Sequence, residues 1–155
     1  MRRSLLPIGV LAPFLLTLVP GSARAQTALD RLDVWERQAQ QQLFMHRVSL
    51  DLDDLTHDVG IGQLAQGGTD DFTFMAEGPG AFRVLAVCDN DCLDIDLTLY
   101  DMSGTQVDID VEMDDYPWVD TAKLGSGVSQ QFRVQVAIPS CNADPCRYAI
   151  AVFSM

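Results

Sequence analysis

Ten acidic side chains lie between positions 89 and 115: Asp89, Asp91, Asp94, Asp96, Asp101, Asp108, Asp110, Glu112, Asp114 and Asp115. Carboxylates at this density, beside amides such as Asn90, suit a hard cation. Calcium takes roughly six to eight oxygens, and extracellular modules hold it in the sub-millimolar to millimolar range. The candidate ligands are Asp89, Asn90, Asp91, Asp114, Asp115 and, from a later loop, Asp144. Asp89-x-Asp91 opens like an EF-hand loop, but Asp94 stands where that loop needs Gly and Tyr100 where it needs Glu, so the loop is not an EF-hand. The competing reading of the same residues is a solvated acidic surface that maintains solubility. Asp94 and Asp96 alternate with aliphatics, as do Asp108 and Asp110. A hairpin symmetric about Ser103 sets Asp96 near Asp110, where a cation, Arg133 or Arg147 would relieve the repulsion of like charges. Tyr116-Pro117-Trp118 adjoins the acidic loop, as a ligand platform or as a cap on the core.

Catalytic constellations are sparse. His46 and His57 have no nucleophile beside them in sequence, and there is no Gly-x-Ser-x-Gly, no His-Glu-x-x-His and no phosphate-cradling glycine loop. This points away from an enzyme. The four cysteines, Cys88, Cys92, Cys141 and Cys146, read as two disulfides in an exported chain. Three connectivities are open, and the local pairs Cys88–Cys92 and Cys141–Cys146 are favoured because each spans the passage from one strand to the next. A four-thiolate zinc site from the same spacings suits an oxidising compartment less well.

Export is expected from the first 25 residues. Met1-Arg2-Arg3 is basic, Leu5 to Val19 is an apolar run, Pro20-Gly21-Ser22 breaks it, and Ala23-Arg24-Ala25 is a small-x-small pattern, placing cleavage before Gln26. The run is short for a membrane span and contains two prolines, so no stable anchor is expected after cleavage. The destination is periplasmic or extracellular. The whole chain has 155 residues with 22 acids against 10 bases, and three of those bases lie in the segment removed. Such a charge disfavours nucleic acid and anionic membranes as partners.

The elements that must position these residues follow from periodicity. Gln26 to about His46 has Leu29, Leu32, Trp35, Ala39 and Leu43, with Phe44 beside them, at helical spacing, with no Pro or Gly. Its stripe packs on the following domain or on a partner, which makes Leu32, Trp35 and Leu43, with Tyr116 and Trp118, candidate partner contacts. Ser49 to Asp53 alternates like a short strand, and glycines punctuate the residues after it, with one short strand near 61–64. After Gly68 the period becomes two, giving strands at 71–76, 81–88, 93–100, 105–111, 118–123, 130–138 and 147–153. The division is 1–25 signal peptide, 26–47 amphipathic helix, 48–68 connecting segment and 69–155 an antiparallel β-sandwich. Alternating strand directions gather loops 89–92, 112–117 and 139–146 at one end, and loops 78–80, 101–104 and 124–127 at the other.

The stretch from Cys88 to Gly104, with Asp94-Ile95-Asp96-Leu97-Thr98-Leu99-Tyr100-Asp101 and a turn ending in Gly, resembles the bacterial pre-peptidase C-terminal domain. Gln131-Phe132-Arg133-Val134-Gln135-Val136 fits the same pattern, and the resemblance covers roughly 62–155. It implies a mainly β, jelly-roll-like sandwich of a kind appended to secreted proteases, some of whose relatives bind calcium or extracellular polymers. These 155 residues hold no protease domain, and the two Cys pairs are not part of the general pattern. The expected role is an exported, non-catalytic binding or accessory module, calcium-stabilised through the acidic rim, whose partner is an extracytoplasmic protein or polymer. The alternatives are an assembly protein docking through its N-terminal helix and, third, an exported hydrolase.

Overall fold

The computed structural model describes the chain from residue 22 and its side chains from residue 34. Residues 1–21 of the expected signal peptide and the side chain of Leu32 therefore lie outside the described residues. Helix α1 spans Ser22–Ser49, a run rich in Ala, Gln and Arg, which favour helix. Its end is chemically defined. The Leu52 N–H donates to the Arg47 carbonyl (3.0 Å) and the Asp51 N–H to the Val48 carbonyl (3.4 Å), with Asp51 at φ 52°. This is a left-handed cap with Asp in the place usually held by Gly. The strand-like alternation of 49–53 does not form a strand, because a left-handed residue there turns the chain.

Eight strands follow: β1 (Gly60–Leu64), β2 (Thr69–Glu77), β3 (Phe82–Cys88), β4 (Cys92–Asp101), β5 (Gln106–Asp110), β6 (Trp118–Asp120), β7 (Ser129–Cys141) and β8 (Cys146–Ser154). They form two four-stranded antiparallel sheets, ordered β1-β8-β3-β6 and β2-β7-β4-β5. The sandwich expected from the alternation is the observed fold, with one boundary moved. β1 pairs with β8 along its whole length, so the domain begins inside the segment read as a connector. Two glycines there serve close packing: a Cβ on Gly60 would crowd Ile150, and one on Gly62 would collide with the Tyr148 hydroxyl. Tyr148 is fully buried and donates to Asp70 Oδ2 at 2.7 Å, tying β8 to β2 of the other sheet. Burial holds that phenol well above its ordinary pKa.

Two apolar layers result. One lies between the sheets, built from inward residues such as Phe74, Val84, Ile95, Leu97, Leu99, Val134, Val136 and Ile150. The other lies outside the first sheet, where Trp35, Ala39 and Leu43 of α1, together with Leu52, cover Leu85, Val87, Ala149, Ala151 and Phe153. Covering on both faces explains why β3 and β8 read as nearly unbroken apolar runs. Among the described residues, Trp35, Ala39 and Leu43 of the helix stripe are thus spent within the molecule, while Phe44 stays exposed. Trp35 and Leu43 are core residues, which corrects their assignment as partner contacts.

Disulfides Cys88–Cys92 and Cys141–Cys146 form as expected. The end they staple also gathers the expected loops: the Asn142 N–H donates to the Asp91 carbonyl (2.6 Å), Cys88 N–H to Asp115 (3.3 Å) and Ile95 N–H to Asp114 (3.1 Å).

Candidate functional site

The β4–β5 hairpin decides which acids face where. The register pairs Leu97 with Asp110, Thr98 with Ile109 and Leu99 with Asp108, then shifts at Leu99/Tyr100. Because side chains alternate faces, a one-residue shift turns a whole strand over. Asp108 and Asp110 accordingly share the inward face with Leu97 and Leu99, while Val107, Ile109 and Val111 face solvent. This reverses the expected orientation of β5; Asp110 pairs with Leu97, the neighbour of Asp96, so its charge still acts on Asp96 as expected. Two further irregularities, at Cys92/Asp94 and Asp94/Asp96, accompany an outward Leu93, leaving Ile95, Leu97 and Leu99 as the inward aliphatics of β4.

The inward carboxylates close the gap between the open edges of the two sheets. Asp110 accepts the Trp118 N–H on Oδ2 (2.9 Å) and the Glu112 N–H on Oδ1 (3.3 Å). Asp108 accepts the Asp120 N–H on Oδ2 (2.8 Å) and the Ile109 N–H on Oδ1 (2.9 Å). Each carboxylate thus occupies one N–H group of β6 and one on or just beyond β5, groups that would otherwise invite another strand. Asp120 in turn binds Arg83 through two hydrogen bonds (2.7 and 2.6 Å), and the guanidinium lies 3.8 Å from the centre of the Trp118 ring.

The outer side of this closure is a groove of about 550 Å³ lined by β5, the 111–117 loop and Trp118. Its walls include Ile109, Val111, Tyr116 and Trp118, all substantially exposed, and Met113 of the same loop is 87% exposed. Its charges are Asp108, Asp110, Glu112 and Asp114, and no basic side chain lines it. Tyr116 is held from behind by a stack on His46 of α1, with ring centres 5.0 Å apart. His57 lies elsewhere, bonded to the hydroxyl of Thr56.

Carboxylates crowd the neighbouring face. Burial, reinforced by the charges of Asp94, Asp110 and Asp114, pushes Asp96 up to about 6. Burial also raises Asp94 and Asp89 above the ordinary carboxylate range. One oxygen of each of these three side chains is buried without a partner among the described residues.

The expected calcium ligands do not converge. Asp89, Asn90 and Asp91 share a pocket with Trp35 and Arg147. Asp114 lines the β5 groove and accepts the Tyr116 N–H (3.0 Å). Asp144 accepts the Gln66 N–H (2.8 Å), and Asp115 contributes its carbonyl to Cys88. Among the described residues no three His, Cys, Asp or Glu side chains are placed to hold a metal ion together. The six ligands share one end of the sandwich but divide among different surfaces there, and backbone N–H groups already occupy two of their carboxylates. The sequence reading missed Arg83, which follows the turn at Gly80 as an ordinary outward strand residue. It also missed the closing role of Asp108 and Asp110, which depends on the bulge. Arg147 entered only as a cation for Asp96; its neighbour is Asp89.

No family model matches the chain, and no curated protein matches it. Among solved structures, similar chains include the pre-peptidase C-terminal domain of a collagenase from Bacillus anthracis, at 16% identity and TM-score 0.46, covering 61% of this chain and 87% of that one. Another is a periplasmic inhibitor of g-type lysozyme from Aeromonas hydrophila, at 9% identity and TM-score 0.43, covering 63% and 85%. The Gt strain structure of infectious bursal disease virus is similar at 11% identity and TM-score 0.34, covering 64% and 30%. The likeness to the pre-peptidase C-terminal domain is a likeness of fold.

Proposed function

We propose that this chain is an exported, non-catalytic binding module whose ligand face is the groove between β5 and the 111–117 loop. Its ligand is a basic, partly aliphatic segment of an extracytoplasmic protein. Export is supported by the basic-then-apolar start of the sequence and by the two disulfides. The observation that carries the binding reading is the outward turn of Ile109 and Val111 beside Tyr116 and Trp118, over carboxylates with no basic side chain among them. Exposed apolar side chains grouped on a polar surface mark interaction sites. Here the polar part has one sign, so a cationic partner gains both contact and charge complementarity. Arg83, stacked on Trp118, is paired chiefly with Asp120 and offsets only part of this charge, at Asp108.

The probe is a synthetic peptide of alternating lysine and leucine, with an alternating glutamate–leucine peptide as control, titrated while following tryptophan fluorescence. Trp118 is the half-exposed indole of the groove, whereas Trp35 is buried beside another pocket, so the signal is assigned to the groove by its loss in Trp118→Phe. The lysine peptide is expected to bind, and to weaken severalfold as salt rises from about 50 to about 500 mM. Glu112→Lys or Tyr116→Ala should weaken it roughly tenfold with unchanged melting. Equal binding of the acidic control, or binding indifferent to both substitutions, would overturn the assignment.

A further inference from the structure

The end strands of the two sheets, β1 and β6 of one and β2 and β5 of the other, are guarded unequally. At β5 and β6 the carboxylates of Asp108 and Asp110 occupy backbone N–H groups. On β2 the Asp71 N–H donates to Asp70 Oδ1 (2.9 Å). β1 has no such guard among the described residues, and the backbone direction of β8 decides which of its groups are free. On the far side of β8 the Asp89 N–H donates to the Arg147 carbonyl and the Met155 N–H to the Ala81 carbonyl (both 3.0 Å). The odd-numbered positions there thus point their backbone at β3. Alternation leaves Cys146, Tyr148 and Ile150 pointing at their partners Leu64, Gly62 and Gly60. The N–H and C=O groups of Ile61 and Gln63 therefore point away from the sheet, on two exposed residues, and no other strand pairs with them.

This edge runs beside an apolar groove. α1 covers β3 and β8 but stops short of β1, and the gap is a groove of about 510 Å³. Leu43, Val59 and Phe153 lie deep in it, and Phe44, Leu55 and Ile61, each at least 40% exposed, form its rim. Ile61 pairs with Ala149, whose side chain lies under α1. Ile61 therefore faces the groove, and so would the side chain of any residue paired antiparallel with it. The charges of the groove are Glu36, Asp58 and Arg47. Arg47 is paired with Asp54 (3.2 Å), whereas Glu36 and Asp58 form no ion pair among the described residues. A cationic occupant gains from both acids. A second copy of this chain, with 22 acids against 10 bases, would set the same acids against themselves.

We propose that β1 accepts a segment of a second protein as an added antiparallel strand, with aliphatic residues on the side facing α1 and a lysine or arginine beside them. The backbone of Ile61 and Gln63 supplies the pairing, the groove takes the aliphatic side chains, and Glu36 and Asp58 meet the basic ones. The site is separate from the β5 groove and does not depend on it.

The probe is a seven-residue peptide blocked at both ends, with lysine first and last, valine third and fifth, and threonine between. In antiparallel register its valines and lysines face the groove, and the valine N–H groups face β1. Isothermal titration calorimetry with the full, oxidised chain is expected to show binding. N-methylation of both valines removes the donors aimed at β1 and should weaken binding at least tenfold, whereas N-methylation of two threonines should change it less than about twofold. Glutamate in place of both lysines should also weaken it at least tenfold. On the protein, Gln63→Pro removes an outward N–H at an edge position where proline is tolerated, and Phe44→Ala removes part of the rim. The first should weaken the peptide about tenfold and the second severalfold, with melting little changed. If Gln63→Pro fails to fold, the two N-methylation patterns decide. Absence of binding, equal loss from both N-methylation patterns, or binding that falls with Glu112→Lys but not with Gln63→Pro would overturn the proposal. So would sedimentation showing a dimer that Gln63→Pro dissociates, because the edge would then belong to a second copy.

Discussion

The two sheets finish their outer surfaces in opposite ways. The first sheet lies under α1, so Leu85, Val87, Ala149, Ala151 and Phe153 are covered, and its two central strands are apolar on both faces. The second sheet has no such cover at its β5 edge. There Val107 and Ile109, with Val111 just beyond the strand, point into solvent while carboxylates point in. The same kind of side chain stabilises the fold on one side and is left for contact with other molecules on the other. Burial, not residue type, separates core from binding surface.

Removing one aliphatic from each region is the strongest way to break this comparison. Leu43→Ala leaves a cavity under the helix and should cost about 3 kcal/mol in chemical denaturation. Ile109→Ala removes a side chain that is 45% exposed and should change stability by less than about 0.5 kcal/mol. A comparable loss from both would mean that β5 carries core weight, and that the groove is part of the folding interior.

The inward carboxylates come next. Asp110→Ala strips the acceptor from the N–H groups of Trp118 and Glu112 and should destabilise by about 1–2 kcal/mol. It should also make the protein self-associate, because the edge donors it satisfied are freed for another strand. Light scattering on the folded variant reads this second effect. A variant that is destabilised yet strictly monomeric would show that β6, only three residues long, offers too little edge to recruit a strand.

This hairpin also shows where sequence reasoning stopped. Strand positions were legible because the period of two survives across β2, β4 and β7 and because β3 and β8 are short apolar runs between turns, and the local disulfides followed from the order of those strands. The helix stripe was legible as a stripe. That it meets Leu85 and Ala149 depends on the long-range pairing of β3 with β8, which periodicity does not encode. The facing of β5 was not legible, because an alternation such as Val107-Asp108-Ile109-Asp110 fits either orientation. The choice was made by a bulge at Leu99/Tyr100 and by hydrogen bonds to residues up to 12 positions away. Gly62 read as a chain breaker because the tyrosine it accommodates lies on a strand far along the sequence. The acidic rim was legible as composition, whereas its division among Gln66, the β5 groove and the Trp35 pocket depends on loop paths.

The smallest of these effects sharpens the electrostatic side of the comparison. Asp96 titrates at about 6, first because burial disfavours its charge and then because Asp94, Asp110 and Asp114 repel it. An ordinary carboxylate titrates near 4, so between about pH 4 and 6 the folded chain keeps a proton that the unfolded chain has released. The folded state is therefore favoured by this group at the acidic end and loses that advantage as pH rises to 6, after which the cost stays constant. Asp96→Asn removes the titration. It should leave stability near pH 4 unchanged and raise it at pH 7.5 by about 1 kcal/mol, less than the full shift implies because solvent reaching the partly exposed carboxylate screens the repulsion. Melting temperatures of the two proteins across that range should diverge progressively. If they stay parallel, the repulsion at Asp96 is already relieved in the folded chain, and the acids on this face do not act as a coupled group.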